Sequence, residues 1–121
     1  MPMSLAMQTC IQLCWDCRHT CQETFFDHCL SMGGDHTAPG HVRIMMDCIQ
    51  ACQTSADFMT RGSIMHAYEC AACAMICEAC ARSCEKLGGK EMQACAEACR
   101  RCAEACRDMG REIEFHVPHA A

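Results

Sequence analysis

Sixteen of the 121 residues are cysteine, and fifteen of those follow one another at steps of three or four. The runs are Cys10, Cys14, Cys17, Cys21; then Cys48, Cys52; then Cys70, Cys73, Cys77, Cys80, Cys84; and Cys95, Cys99, Cys102, Cys106. Thiolates can act as nucleophiles, as redox couples or as ligands for soft metals. A single cysteine is most simply a small buried hydrophobe. Sixteen of them on a few stripes are not explained that way, because Leu would fill the same positions with more volume. Disulfides between neighbours on one helix face would close loops of only a few residues and aim the sulfurs poorly. Cross-helix disulfides stay open as an alternative, against a cytosolic expectation of reduced thiols.

Among metals, thiolate softness leaves Cu(I), Zn(II) and iron–sulfur clusters. Clusters usually take four cysteines from irregular loops, and structural zinc takes knuckles and turns, unlike these continuous stripes. A zinc ion with four private thiolates carries a net charge of −2, and several in one narrow low-dielectric core would repel; shared thiolates soften this objection without removing it. Cu(I) accepts two or three sulfurs, and a thiolate can bridge two ions, so about one copper per cysteine is neutral. Cysteines one turn apart, such as Cys10/Cys14 or Cys73/Cys77, stand about 5–6 Å apart at Cβ and could clasp an ion. Binding of multiple Cu(I) ions would then release protons and stabilise the fold.

Steps of three and four keep side chains on one helix face, so these stripes require helices. Breaks fall at residues 31–40, at Arg61-Gly62-Ser63 and at Gly88-Gly89. The expected helices are about 3–32, 40–61, 63–87 and 90–115, with Pro118 closing the last and a short tail at 116–121. Short connections favour antiparallel neighbours, giving an all-α, up-down-up-down four-helix bundle as a single domain over 1–121, with a Cys-lined core. On this reading Glu97/Arg101 and Arg100/Glu104 are i,i+4 pairs on the solvated face of the last helix. Cys29 falls outside the regular steps, about 80° from the phase of Cys21 on a straight α-helix.

Continuing each stripe brings His28, Cys29, Met32, His41, Met45, Cys84, Met92 and Cys95 to one end of the bundle. Met7, Cys10, Met59, His66, Cys70, Cys106 and Met109 gather at the other. Ions need a way in, and weaker neutral His and Met ligands suit it. His41 and Met45, which extend the Cys48/Cys52 stripe, make the first end the expected mouth, with His66 at the opposite end as the competing candidate. Trp15 should point away from the seam as packing or an oligomer contact, and His116 and His119 should lie in solvent.

Composition explains why the thiols must carry the core. Only 12 residues are Val, Ile or Leu; with the four Phe they make about 13% of the chain, below the rough 20% of ordinary globular chains. A formal charge of −5 is too small to imply disorder, so staples or metals are needed. With 15 acidic against 10 basic side chains there is no phosphate-binding stripe, so no nucleic-acid partner is expected. No segment is long and apolar enough for a membrane. The first residues read as neither a signal peptide nor a twin-arginine signal, which makes the cytoplasm the expected compartment. No catalytic constellation, phosphate loop or cofactor fingerprint is present, so the chain is not expected to be an enzyme.

The Cys10-x3-Cys14-x2-Cys17-x3-Cys21 run, the Cys48-x3-Cys52 pair, the five cysteines Cys70 to Cys84 and the four from Cys95 to Cys106 resemble the bacterial copper storage proteins over nearly the whole chain. The lack of an export signal makes the cytosolic branch the nearer match. The resemblance implies storage of Cu(I) by cysteine thiolates, a homotetramer, and a mouth with His or Met ligands near the start of the second helix. His41 sits at a seam position, seven residues before Cys48, where a relative could carry another Cys. Copper donor or client proteins would then be partners. Two other functions stand against storage: a zinc or mixed-metal buffer, and a thiol–disulfide redox protein using Cys70-x2-Cys73 or Cys77-x2-Cys80. The redox reading lacks the exposed helix N-terminus that lowers a reactive thiol's pKa.

Overall fold

Ser4 starts the first helix: its hydroxyl oxygen accepts the Met7 N–H at 3.1 Å, satisfying one of the unpaired donors of the first turn. The computed structural model describes residues 3–111 together with Ile113 and Val117. Helix α1 runs Leu5–Glu23, continues as a π-helical stretch over Thr24–Cys29, and ends in the short α2, Leu30–Met32. A 3₁₀ turn at Gly34–Thr37 leads to α3, Pro39–Thr60, whose proline occupies the first turn, where no N–H is needed. Helices α4, His66–Leu87, and α5, Lys90–Met109, complete the bundle.

Consecutive long helices are neighbours, and α5 closes the square against α1. The pairing is antiparallel throughout. Along α1 and α5, Cys10 meets Cys106 while Cys21 meets Cys95; along α3 and α4, Met45 meets Cys84 while Ser55 meets Glu69. Gly88 and Gly89 make the tightest connection with φ of 72° and 87°, a left-handed pair that residues with a Cβ adopt only under strain.

Three boundaries differ from those expected from spacing. The first rod is not one α-helix over 3–32, because its 24–29 turn is widened. The third starts at His66 and not at 63, since Ser63 is held in a turn: its Oγ accepts the Met65 N–H at 3.0 Å and its carbonyl lies 2.9 Å from His66 Nδ1. The last α-helix stops at Met109 and not at 115. There Gly110 lies so close to α4 that a Cβ would come within 2.8 Å of the Ala71 nitrogen. Pro118, the 116–121 tail and its His116 and His119 lie outside the described residues, Val117 excepted.

Cysteine, alanine and methionine form the interior: all sixteen cysteines are fully buried, as are Met45, Met59 and Met92. Ala51, Ala74, Ala96 and Ala103 pack at the seams beside them. Outside, Arg100 bonds Glu85 at 2.6 Å and Arg107 bonds Glu78 at 2.7 Å, tying α4 to α5. Arg100 thus reaches across the helix interface, where spacing alone had paired it with Glu104. Trp15 is 46% exposed on the outer face of α1, away from the thiols.

Candidate metal centre

The four stripes converge on one axis. All sixteen cysteines are free thiols, and the sulfurs of twelve, Cys10, Cys14, Cys17, Cys21, Cys48, Cys52, Cys73, Cys77, Cys95, Cys99, Cys102 and Cys106, form a ladder of contacts between 3.5 and 3.9 Å. A disulfide would need about 2.05 Å. With a metal–thiolate bond of about 2.3 Å, three sulfurs around one ion stand roughly 4.0 Å apart. The ladder is therefore spaced for ions between sulfurs with little movement of the helices.

Four sets of four buried sulfurs lie within 4.8 Å of one another: Cys14/Cys73/Cys102/Cys106, Cys52/Cys73/Cys77/Cys102, Cys17/Cys48/Cys52/Cys77 and Cys17/Cys21/Cys48/Cys99. Each shares two cysteines with the next, so they form one chain along the bundle. This overlap bears on closed zinc sites, each with private ligands. A closed zinc site takes four ligands of its own, and at most two of the four sets can be chosen without using a cysteine twice. An ion that shares its thiolates can use them all.

Proton chemistry points the same way. Cys17, hydrogen-bonded by Cys102, Cys21 and Cys48, is held well below the usual thiol range. Cys21 is pushed well above it, chiefly by its bond to Cys17, and Cys77 likewise by Cys102 and Cys17. At the far end Cys102 is lowered to about 7, chiefly by Cys106, while Cys70 is pushed up to about 12 by its bond with Cys10. One thiol ionises because its neighbours keep their protons. The empty tube cannot ionise throughout, and only cations placed between the sulfurs can replace the protons.

The remaining six cysteines sit at the two ends: Cys10 and Cys70 at one, Cys29, Cys80, Cys84 and Cys95 at the other. At the second end His41 is 6% exposed, and its Nε2 lies 3.6 Å from the Cys29 sulfur. Its Nδ1 is 2.8 Å from Ser83 Oγ, and burial lowers its pKa. The Met45 sulfur lies 3.4 Å from Cys80 and 3.7 Å from Cys84. Met92 Sδ accepts from Cys29 at 3.7 Å. Every candidate ligand, including His41 and Met45, is thus brought to the thiol column.

Several neighbours expected at this end behave differently. Met32 is 59% exposed and stays off the column. His28 faces Glu91 and His36 instead of a sulfur. At the opposite end Met59 is buried, while His66 turns one ring nitrogen to the Ser63 carbonyl. Ser83 is an addition to the candidate set, while Met92, which its stripe places at this end, meets the Cys29 sulfur. Ser83 lies off the stripe, and nothing in its spacing marks it.

Cys29 reaches the seam because the chain between Thr24 and Cys29 is π-helical, with the Leu30 N–H bonded to the Phe25 carbonyl five residues back. The wider turn removes the phase error of a straight helix, and Cys29 is completely buried.

Comparison with known proteins agrees with this geometry. The family model described as copper storage protein matches residues 3–111. A protein of Nitrosospira multiformis, known from a crystal structure, is 46% identical and superposes with a TM-score of 0.84, covering 88% of this chain and 95% of that one. The Cu(I)-bound copper storage protein BsCsp3 is 37% identical with a TM-score of 0.80, covering 87% of this chain and 98% of its own. The apo form of copper storage protein 3 from Bacillus subtilis is 38% identical with a TM-score of 0.77, over 85% of this chain and 97% of that one. An uncharacterized cysteine-rich protein of Bacillus subtilis (strain 168) is 38% identical over 70 residues, which make up 58% of this chain and 64% of that relative, just under two thirds of its length.

Proposed function

The chain belongs to the copper storage protein family, and from that premise we propose that its sixteen cysteines form one continuous Cu(I) store holding about one ion per thiol. It binds multiple Cu(I) ions through core thiolates and is not an enzyme. The observation that carries the proposal is the overlap of the four-thiol sets, which suits a monovalent ion sharing its ligands and suits closed zinc sites poorly.

His41 and Met45 are assigned as the neutral ligands of the mouth, beside Cys29 and Cys80. A soft thioether and an imidazole bind Cu(I) while giving it up more readily than a thiolate does. Homotetramer assembly and a cytoplasmic setting complete the reading, as the resemblance to the family's cytosolic branch implies. No helix among the described residues is long and apolar enough to cross a membrane. A redox role for Cys70/Cys73 or Cys77/Cys80 is disfavoured because all four thiols are buried along α4.

The test is anaerobic titration of the reduced apo-protein with Cu(I) against a strong chelator, repeated with Zn(II). Storage predicts tight uptake approaching the number of thiols, with little or no zinc held in competition. Saturation at one or two coppers, or preference for zinc, would refute it.

A further inference from the structure

Outside the thiol column, at the same end, His28, His36 and Glu91 come from three different elements. His28 lies in the π-helical stretch, His36 in the 3₁₀ turn and Glu91 in the first turn of α5. The two imidazoles meet edge to face with centroids 5.3 Å apart. Two rings that ligate one ion through metal–nitrogen bonds of about 2.0–2.1 Å have centroids roughly 4.5–6.3 Å apart, so the separation of this pair permits a shared ion. His36 Nε2 is buried without a hydrogen-bond partner, which costs free energy unless something fills its place. His28 Nδ1 lies 4.0 Å from a Glu91 carboxylate oxygen. At that distance the carboxylate is an ion-pair neighbour and not a hydrogen-bond acceptor, and its negative charge favours a cation at the ring.

We infer that His28 and His36, with Glu91 behind His28, form an outer landing site where Cu(I) is held by two imidazoles before it passes to His41 and Cys29. The inference rests on the storage reading. His28 adjoins Cys29 in sequence, and His36 is close enough to His41 for its charge to act on that ring. Nitrogen ligands bind Cu(I) less firmly than thiolates, so an ion on the pair is drawn inward to sulfur. Glu91 is a positioning residue that touches no ion itself, and its negative charge offsets that of the arriving cation.

The experiment follows Cu(I) uptake by stopped flow, from a weak Cu(I) complex into reduced apo-protein, in His28→Ala, His36→Ala, Glu91→Gln and the double histidine variant. His19→Ala is the control, because His19 is exposed on α1 and, among the described residues, its ion pair is with Glu23 on the same helix. Each single histidine variant should load about tenfold more slowly. The double should be no slower than the worse single, and the final copper number should be unchanged. Uptake within about twofold of wild type for both single variants, or equal slowing in the control, would overturn the site. Should a variant lose helix content, imidazole ¹⁵N spectra of the wild type decide: the first additions of Cu(I) must shift both His28 and His36, and shifts at neither would overturn it. Failure of the store itself would look different, since the wild type would then stop at one or two ions.

Discussion

Cys29 and His41 meet at the proposed mouth, one from the first rod and one from α3, with sulfur and Nε2 3.6 Å apart. Since both His41 and Met45 touch only the outermost thiols, His41→Ala and Met45→Ala should each alter the rate at which copper is loaded or withdrawn while changing capacity by no more than an ion or two. A chelator-removal time course set beside an end-point titration checks this, and unchanged kinetics in both variants would move the mouth elsewhere. Cys29 and His41 also contribute to the pH response of the empty protein. Burial raises Cys29 to about 11 from an ordinary 9.0, so its contribution to stability is complete below pH 9 and is lost as pH rises from there to 11. Burial lowers His41 from 6.5, so its contribution is present above 6.5 and fades as pH falls below that value. Anaerobic urea unfolding of the apo-protein between pH 5 and 11 should show both losses, and Cys29→Ala should lessen the alkaline one, to which Cys70 and the other raised thiols also contribute. Fifteen thiols were legible from spacing alone, because a three-four step leaves only one helix face. The contacts of His41 were less so: its place on the stripe predicts the mouth, but Ser83 comes from a different helix and no periodicity connects them.

At the scale of elements, the long helices follow from their punctuation, and the departures have local causes. Met92, three residues before Cys95, lies on a readable stripe, whereas the π-helical turn is invisible because Thr24–Cys29 contains no residue that demands it. That turn behaves as one inserted residue. Cys29 is eight positions from Cys21. Seven positions on a regular α-helix would fall only about 20° off phase, whereas eight fall about 80° off. Deleting the exposed Phe26 should therefore regularise the helix and keep Cys29 in the seam. Copper capacity should hold to within one ion, with the circular dichroism unchanged or more helical. Loss of several ions would show that the turn does more than correct phase.

For the whole molecule, the core is also the cargo site, so copper and stability are coupled. An ordinary bundle of this length relies on Leu and Ile; here cysteine and alanine fill the same positions and give up packing contacts. Ligand that binds only the folded form stabilises it by mass action. Copper loading should therefore raise the unfolding midpoint progressively with the number of ions bound, and each ion should release about one proton near neutral pH. Calorimetry in two buffers of different ionisation enthalpy measures the protons, and thermal unfolding at stepped loading measures the midpoint. A midpoint that ignores copper would separate cargo from core.

The shared cysteines carry one more consequence. Because adjacent four-thiol sets have two members in common, an ion moving from one to the next keeps two of its sulfurs throughout. Travel along the axis is then a succession of partial exchanges, never a full release into solution. A half-filled tube would then conduct its own contents, letting ions drift inward and reopening the outermost positions for the next arrival.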